Sequence, residues 1–163
     1  MNTAYLLAGS NMGNRTAYLQ GATKIIEEQC GSIIARSHIY ETAAWGVLDQ
    51  PHFYNQALAL QTQLPPPQLM QTLLNIEALI GRRRVQKMGP RIIDLDILLV
   101  DELIMNTPLL IVPHPHLTQR RFALTPLAEI APQLVHPVTH KTIAALLVEC
   151  EDVLEVKQLD TGM

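Results

Sequence analysis

Cysteine is scarce: Cys30 and Cys150 are too few for a disulfide framework, and neither has a partner at metal-ligand spacing. Aromatic residues make up only 4% of the chain, so Trp45, Phe53 and Phe122 each carry weight as core or as a ring-stacking surface. No run of 18 apolar residues occurs, and Met1-Asn2-Thr3-Ala4 leads into a short apolar segment without a basic region before it. Neither a membrane span nor a secretory leader is expected, and a cytoplasmic protein is. Cationic excess is missing too: 12 Lys and Arg face 15 Asp and Glu, a net charge of −3 that excludes a broadly basic nucleic-acid protein. The 48% hydrophobic content excludes disorder. A chain of 163 residues can bury roughly 70% of its unfolded surface in one core, so a single domain over 1–163, acting as a monomer, is expected.

The low charge conceals one strongly cationic segment. Arg82, Arg83, Arg84, Lys87 and Arg91 fall within ten positions, and Arg120 and Arg121 form a smaller cluster. Such a patch on an acidic chain suits a compact anion better than a long polyanion.

Along the chain, Tyr5–Ala8 reads as a buried strand, and Asn14 can cap a helix over about 15–29 that ends before Gly31. Ser32–Tyr40 and Phe53–Thr62 have the β-branched or alternating character of strands, separated by a loop over 41–52. Pro65-Pro66-Pro67 can open a helix whose apolar face is Leu69, Leu73, Ile76 and Ile80, ending at Gly81. The basic segment 82–91 follows as a loop, then a strand over 92–100. Short helices are expected near 124–131 and 141–149, with a frayed polar tail over 152–163. The order strand, helix, strand, strand, helix, strand predicts an α+β, ferredoxin-like (split βαβ) sandwich. Its sheet should be antiparallel or mixed, with helices on one face and C-terminal additions.

The sharpest chemical signal is Ile92-Ile93-Asp94-Leu95-Asp96-Ile97-Leu98. In a strand, Asp94 and Asp96 project from one face about 6.5–7 Å apart while Leu95 and Ile97 enter the core. Paired carboxylates call for a cation, and Mg²⁺ bridging to substrate phosphates fits; two solvated aspartates are the plain alternative. The arginines just upstream can clamp phosphate oxygens, which with the carboxylates makes the parts of a phosphoryl-transfer site. Gly9-Ser10-Asn11-Met12-Gly13 lacks the Walker ending and reads as a tight turn, so any bound nucleotide must be held by side chains. His114 and His116 have a zinc-compatible spacing but no third ligand, and suit a phosphate neighbour better. Trp45, Phe53 and Phe122 read first as core, but two facing rings among them could enclose a flat heterocycle, whose edge Asn55 could read with its amide. A ferredoxin-like RNA-binding module and a plain interaction protein compete with an enzyme. The first would need stacking aromatics on a basic sheet face, which the sequence does not offer.

In order along the chain stand Gly9-Ser10-Asn11, Tyr40-Glu41-Thr42, Asp49-Gln50-Pro51 with Asn55, Ile76-Glu77 with Gly81-Arg82, and Gly89-Pro90-Arg91 with Asp94-Leu95-Asp96. Val112-Pro113-His114, Arg120 with Phe122, and Pro126-Leu127 with Glu129-Ile130-Ala131-Pro132 complete the set. With these motifs the chain closely resembles the 6-hydroxymethyl-7,8-dihydropterin pyrophosphokinase family of folate synthesis. The resemblance implies transfer of diphosphate from ATP to the pterin hydroxymethyl group, releasing AMP. It further implies Asp94 and Asp96 as ligands of two Mg²⁺ ions, and Arg82 and Arg91 as catalytic arginines closing over the triphosphate. Glu77, Arg84, His114 and Arg120 match the ATP site, and Thr42, Ala43, Ala44, Trp45, Phe53, Asn55 and Phe122 match the pterin pocket. ATP and the reduced pterin are the implied partners, with no nucleic acid and no membrane. Met88, Phe53 and Ala43 stand where the family often carries Trp, Tyr and Pro.

Overall fold

Strand β1 (Asn2–Ser10) alternates Ala4, Leu6 and Ala8 toward one face with Tyr5, Leu7 and Gly9 toward the other, the period-2 pattern of a central strand covered on both sides. It pairs antiparallel with β4 (Phe53–Thr62) on one side and β5 (Asp94–Val100) on the other. The computed structural model describes residues 1–43, 50–81 and 91–159. Among these, the main sheet runs β5-β1-β4-β3-β8, with β2 (Ser32–Arg36) also on β4, β3 spanning Tyr40–Thr42 and β8 spanning Val156–Gln158. Every pairing is antiparallel. A small hairpin, β6 (Met105–Asn106) with β7 (Ile111–Val112), stands apart from this sheet.

Helices α1 (Arg15–Gln29) and α2 (Pro66–Ile80) cover one face. Asn14 caps α1 by accepting from the Ala17 N–H at 3.1 Å, and Pro66 occupies the first turn of α2, where no N–H is needed. Leu69, Leu73 and Ile76 are fully or almost fully buried, as the spacing predicts. Gly81 ends α2 in the left-handed region at φ 113°, a conformation glycine reaches without a Cβ clash. Helices α3 (Arg121–Ile130) and α4 (Ile143–Glu149) pack on the other face around Leu7, Leu99, Leu124 and Leu127. The result is the expected ferredoxin-like split βαβ sandwich, but helices on one face describes only α1 and α2; the C-terminal additions take the second face.

Other differences have local causes. The single strand expected over 32–40 divides at Ser37, whose Oγ accepts the Ala57 N–H at 2.9 Å in place of a backbone carbonyl. Helix α3 starts three residues earlier than expected: Arg120 at its N-cap offers no capping side chain, so the usual start signal is missing from the sequence. The tail is not frayed at 156–158: these residues extend the sheet beside β3, placing Val156 opposite Thr42 and Gln158 opposite Tyr40.

Candidate active site

The site lies where three strands end on the α3 face. Cross-strand register places Asp94 beside Gly9 and Gly9 beside Asn55, and Asp96 beside Leu7. Cross-strand partners share a face, so both aspartates and Asn55 look into one recess. Gly9 makes the row possible. A Cβ there would come within 2.5 Å of Asn55 Oδ1 and 3.6 Å of the Phe53 ring. Leu95 and Ile97 point the other way, into the core against α2, and so hold the aspartates outward.

Around this floor the recess is lined by Thr42 and Ala43 at the end of β3, Phe53 and Asn55 on β4, Arg91, Asp94, Asp96, Arg120 and Phe122. The Arg91 guanidinium stands 5.7 Å from the Phe53 ring centre and that of Arg120 5.6 Å from the Phe122 ring centre. Two cations and two rings thus surround the carboxylate pair. Burial pulls the Arg120 pKa down, Asp96 and Asp94 oppose that, and Arg91 adds to it, so these groups sense one another. Asn55 is buried, and its Nδ2 has no hydrogen-bond partner among the described residues. A buried amide N–H₂ facing a recess without a partner is a donor placed for a ligand.

A second depression adjoins the first at Asp96. It is lined by Met70 and Leu74 of α2, Ile97, the 108–111 turn of the small hairpin, and His114 with Pro115. His114 is anchored by its backbone N–H to the Leu98 carbonyl at 2.9 Å. Burial lowers its pKa to about 4, helped by Arg120 and His116 and opposed by Asp94, so the ring is neutral near pH 7. The apolar lining of this groove escaped the sequence reading, because exposed Leu109 and Ile111 in a turn follow no helical or strand period.

Two further residues brace the site. Glu77 does not line the recess: it is buried behind β5, where Oε2 accepts the Leu95 N–H at 2.6 Å. It therefore holds the peptide between the two aspartates. Asn11 joins the site's margins, donating through Nδ2 to Gln50 Oε1 at 2.8 Å and the Pro51 carbonyl at 3.1 Å. Its Oδ1 accepts the Arg91 N–H at 2.7 Å, and its own N–H reaches the Arg91 carbonyl at 3.0 Å. Only its place in Gly9-Ser10-Asn11 drew notice in the sequence; nothing there announced a clamp. Of the residues expected at the site, Arg91, Asp94, Asp96, Thr42, Ala43, Phe53, Asn55, Arg120 and Phe122 share the recess. His114 lies in the adjoining groove, while Arg82, Arg84, Ala44 and Trp45 fall outside the described residues.

Fold and site together define an α+β ferredoxin-like protein with a carboxylate–arginine centre between an aromatic recess and an apolar groove. The family model described as 7,8-dihydro-6-hydroxymethylpterin-pyrophosphokinase (HPPK) matches residues 5–132, and the chain belongs to that family. It is 43% identical over 136 residues to a 2-amino-4-hydroxy-6-hydroxymethyldihydropteridine pyrophosphokinase of Methylorubrum extorquens, covering 83% of this chain and 86% of that one. A protein of the same name from Aquifex aeolicus is 41% identical over 143 residues, covering 88% and 89%. Among solved structures, wild-type Plasmodium falciparum HPPK-DHPS superposes with a TM-score of 0.75 at 19% identity, over 91% of this chain. The chain spans 44% of that longer protein, and the likeness shows the shared fold.

Proposed function

We propose that this chain transfers diphosphate from ATP to the hydroxymethyl group of 6-hydroxymethyl-7,8-dihydropterin, giving AMP and the pterin diphosphate for folate synthesis. The carrying observation is that an aromatic recess and an apolar groove meet at Asp96. A transfer between two substrates needs two adjoining sites with the charged chemistry at their junction.

The pterin occupies the recess, its ring against Phe53 and Phe122 and its edge amides on Asn55. The nucleotide base lies in the groove beside His114, so the triphosphate runs past Asp96 toward the recess. The pterin hydroxyl then attacks the β-phosphorus, the α–β bridging bond breaks, and AMP leaves. Arg91 and Arg120 supply fixed positive charge where negative charge builds on the transferring oxygens. From the family resemblance, Arg82 and Arg84 add to that charge, and Ala44 and Trp45 complete the pterin pocket.

The donor set suits magnesium. Among the described residues no group of three or more His, Cys, Asp or Glu converges, so Asp94 and Asp96 furnish two hard oxygen donors. The rest of a coordination shell falls to phosphate oxygens and water, which Mg²⁺ accepts readily. Two such ions, when bound, would neutralise polyphosphate charge and template the in-line geometry. Among the described residues no helix is long and apolar enough to cross a membrane. A single-domain, monomeric, cytoplasmic enzyme completes this reading.

The test is direct: supply ATP, Mg²⁺ and the reduced hydroxymethylpterin, and identify the nucleotide product. AMP supports diphosphate transfer; ADP would indicate single-phosphoryl transfer, and no turnover would favour a binding module.

A further inference from the structure

Residues 150–159 lie beyond the family match, which ends at 132. Yet they are bonded to both walls of the recess. One wall is the start of α3, where Arg121 stands between Arg120 and Phe122. The Arg121 Nε donates to the Asp152 carbonyl at 2.9 Å and its Nη2 to the Cys150 carbonyl at 2.9 Å. Its backbone N–H adds a third bond, to Asp152 Oδ2 at 3.1 Å, while Asp152 Oδ1 accepts the Leu154 N–H at 3.0 Å. The planar guanidinium fork fixes two carbonyls at once, which a flexible ammonium could not do.

The other wall is the end of β3. There the segment continues as β8, and the Thr42 hydroxyl donates to the Glu155 carbonyl at 2.9 Å. Farther along, the Leu159 N–H reaches the Ile39 carbonyl at 2.9 Å. Without β8, Thr42 would end a three-residue edge strand whose ladder is with β4 alone and whose tie to α3, from the Tyr40 hydroxyl to Glu129, lies at the strand's far end. Strands that short are weakly held by their own ladder. The start of α3 has no side-chain cap of its own either, so each wall has little intrinsic support.

We propose that residues 150–159 form a strap that sets the separation of the two walls of the recess, with Arg121 and Asp152 as positioning residues for the heterocycle. The attachments fall on Thr42 itself and on the residue between Arg120 and Phe122, the places where wall residues are carried. The bond to Glu155 also commits the Thr42 proton, so Thr42 faces a ligand as an acceptor. Displacing a positioning contact by about an ångström is enough to cost a site most of its affinity or rate. The groove proposed for the nucleotide base is lined by other elements; of the groups proposed to meet the nucleotide, Arg120 is the one that adjoins the strap, so the analogue is expected to lose less than the pterin.

The identity of the ligand rests on the proposed function, and the experiment separates the two. Arg121→Gln removes the fork, Arg121→Lys keeps one donor, and Asp152→Ala removes the carboxylate while keeping both carbonyl bonds. Calorimetry reads the affinity of each variant for a non-hydrolysable ATP analogue alone, and for the reduced pterin with that analogue present. Arg121→Gln is expected to weaken pterin binding about tenfold with analogue binding within about twofold of wild type, and Arg121→Lys to fall between. If Arg121→Gln fails to fold, Asp152→Ala carries the same readout with a smaller loss. Unchanged pterin affinity in folded variants, or equal losses for both ligands in step with melting temperature, overturns the strap. A wild-type chain that binds no pterin overturns the proposed function and the strap with it.

Discussion

Single atoms decide what the recess can hold. Asp96 belongs to both depressions and points away from the core, so its loss should leave the fold untouched and remove a carboxylate from the junction where the proposed transfer occurs. Asp96→Ala is expected to lower turnover by roughly a hundredfold or more with an unchanged far-ultraviolet spectrum; near-normal turnover at limiting Mg²⁺ would remove Asp96 from the metal assignment. Gly9 acts oppositely, by having nothing to remove. In Gly9→Ala the new methyl meets Asn55 Oδ1, so the amide must turn. Pterin affinity should fall while nucleotide affinity, read in a groove that does not include Gly9, stays near wild type. A Gly9→Ala variant that binds pterin normally would show that the Asn55 amide is not the reading group.

Elements position these atoms, and the contribution of α2 to β5 is the clearest case. Glu77 reaches from the helix to the Leu95 N–H, between the two aspartates. Glu77→Ala strands that buried N–H, a loss of about 1–3 kcal/mol on urea denaturation, and frees the strand that carries both carboxylates. Glu77→Gln keeps an acceptor oxygen and should recover most of the stability and turnover. If Glu77→Gln is as damaged as Glu77→Ala, the charge and not the hydrogen bond is what matters. Elements are also where the sequence was most and least legible. Leu69, Leu73 and Ile76 declared α2 because one period governs the whole helix, and Asp94 and Asp96 declared their common face by strand alternation. Glu77 did not declare its position behind β5, since a carboxylate two turns along an apolar stripe reads the same whether it faces a ligand or a peptide. Strand β8 was hidden for a similar reason. Val-Lys-Gln is too short to show a strand period, and its neighbours Asp152 and Glu155 are bonded to Arg121 and Thr42, more than thirty and a hundred residues away.

At the scale of the whole molecule, proton binding joins distant parts of the fold. Burial lowers the pKa of His114 to about 4 and depresses that of His136, whose Nδ1 accepts the Val138 and Thr139 N–H groups in the turn before α4. Burial works against ionisation of Glu129, yet hydrogen bonds from Tyr40 and His38 outweigh it and bring its pKa below the ordinary value. That carboxylate ties α3 to β3, with the Tyr40 hydroxyl at 2.6 Å and His38 Nδ1 at 2.8 Å. All three groups bind fewer protons folded than unfolded, so the unfolded chain gains as pH falls. For His114, stability is intact above the unfolded value near 6.5 and is lost as pH falls from there toward about 4, and His136, also lowered by burial, acts in the same direction. For Glu129 it is intact above the ordinary carboxylate value near 4.5 and is lost below it. The melting temperature of the ligand-free protein should therefore decline in two stages between pH 7 and pH 3, histidines first. His114→Gln should flatten the upper stage and leave the lower one, whereas Glu129→Gln should lower stability at pH 7 and weaken the dependence below 4.5. A melting temperature that rises as pH falls from 7 to 5 would contradict the burial of a neutral His114 beside Arg120 and Asp94.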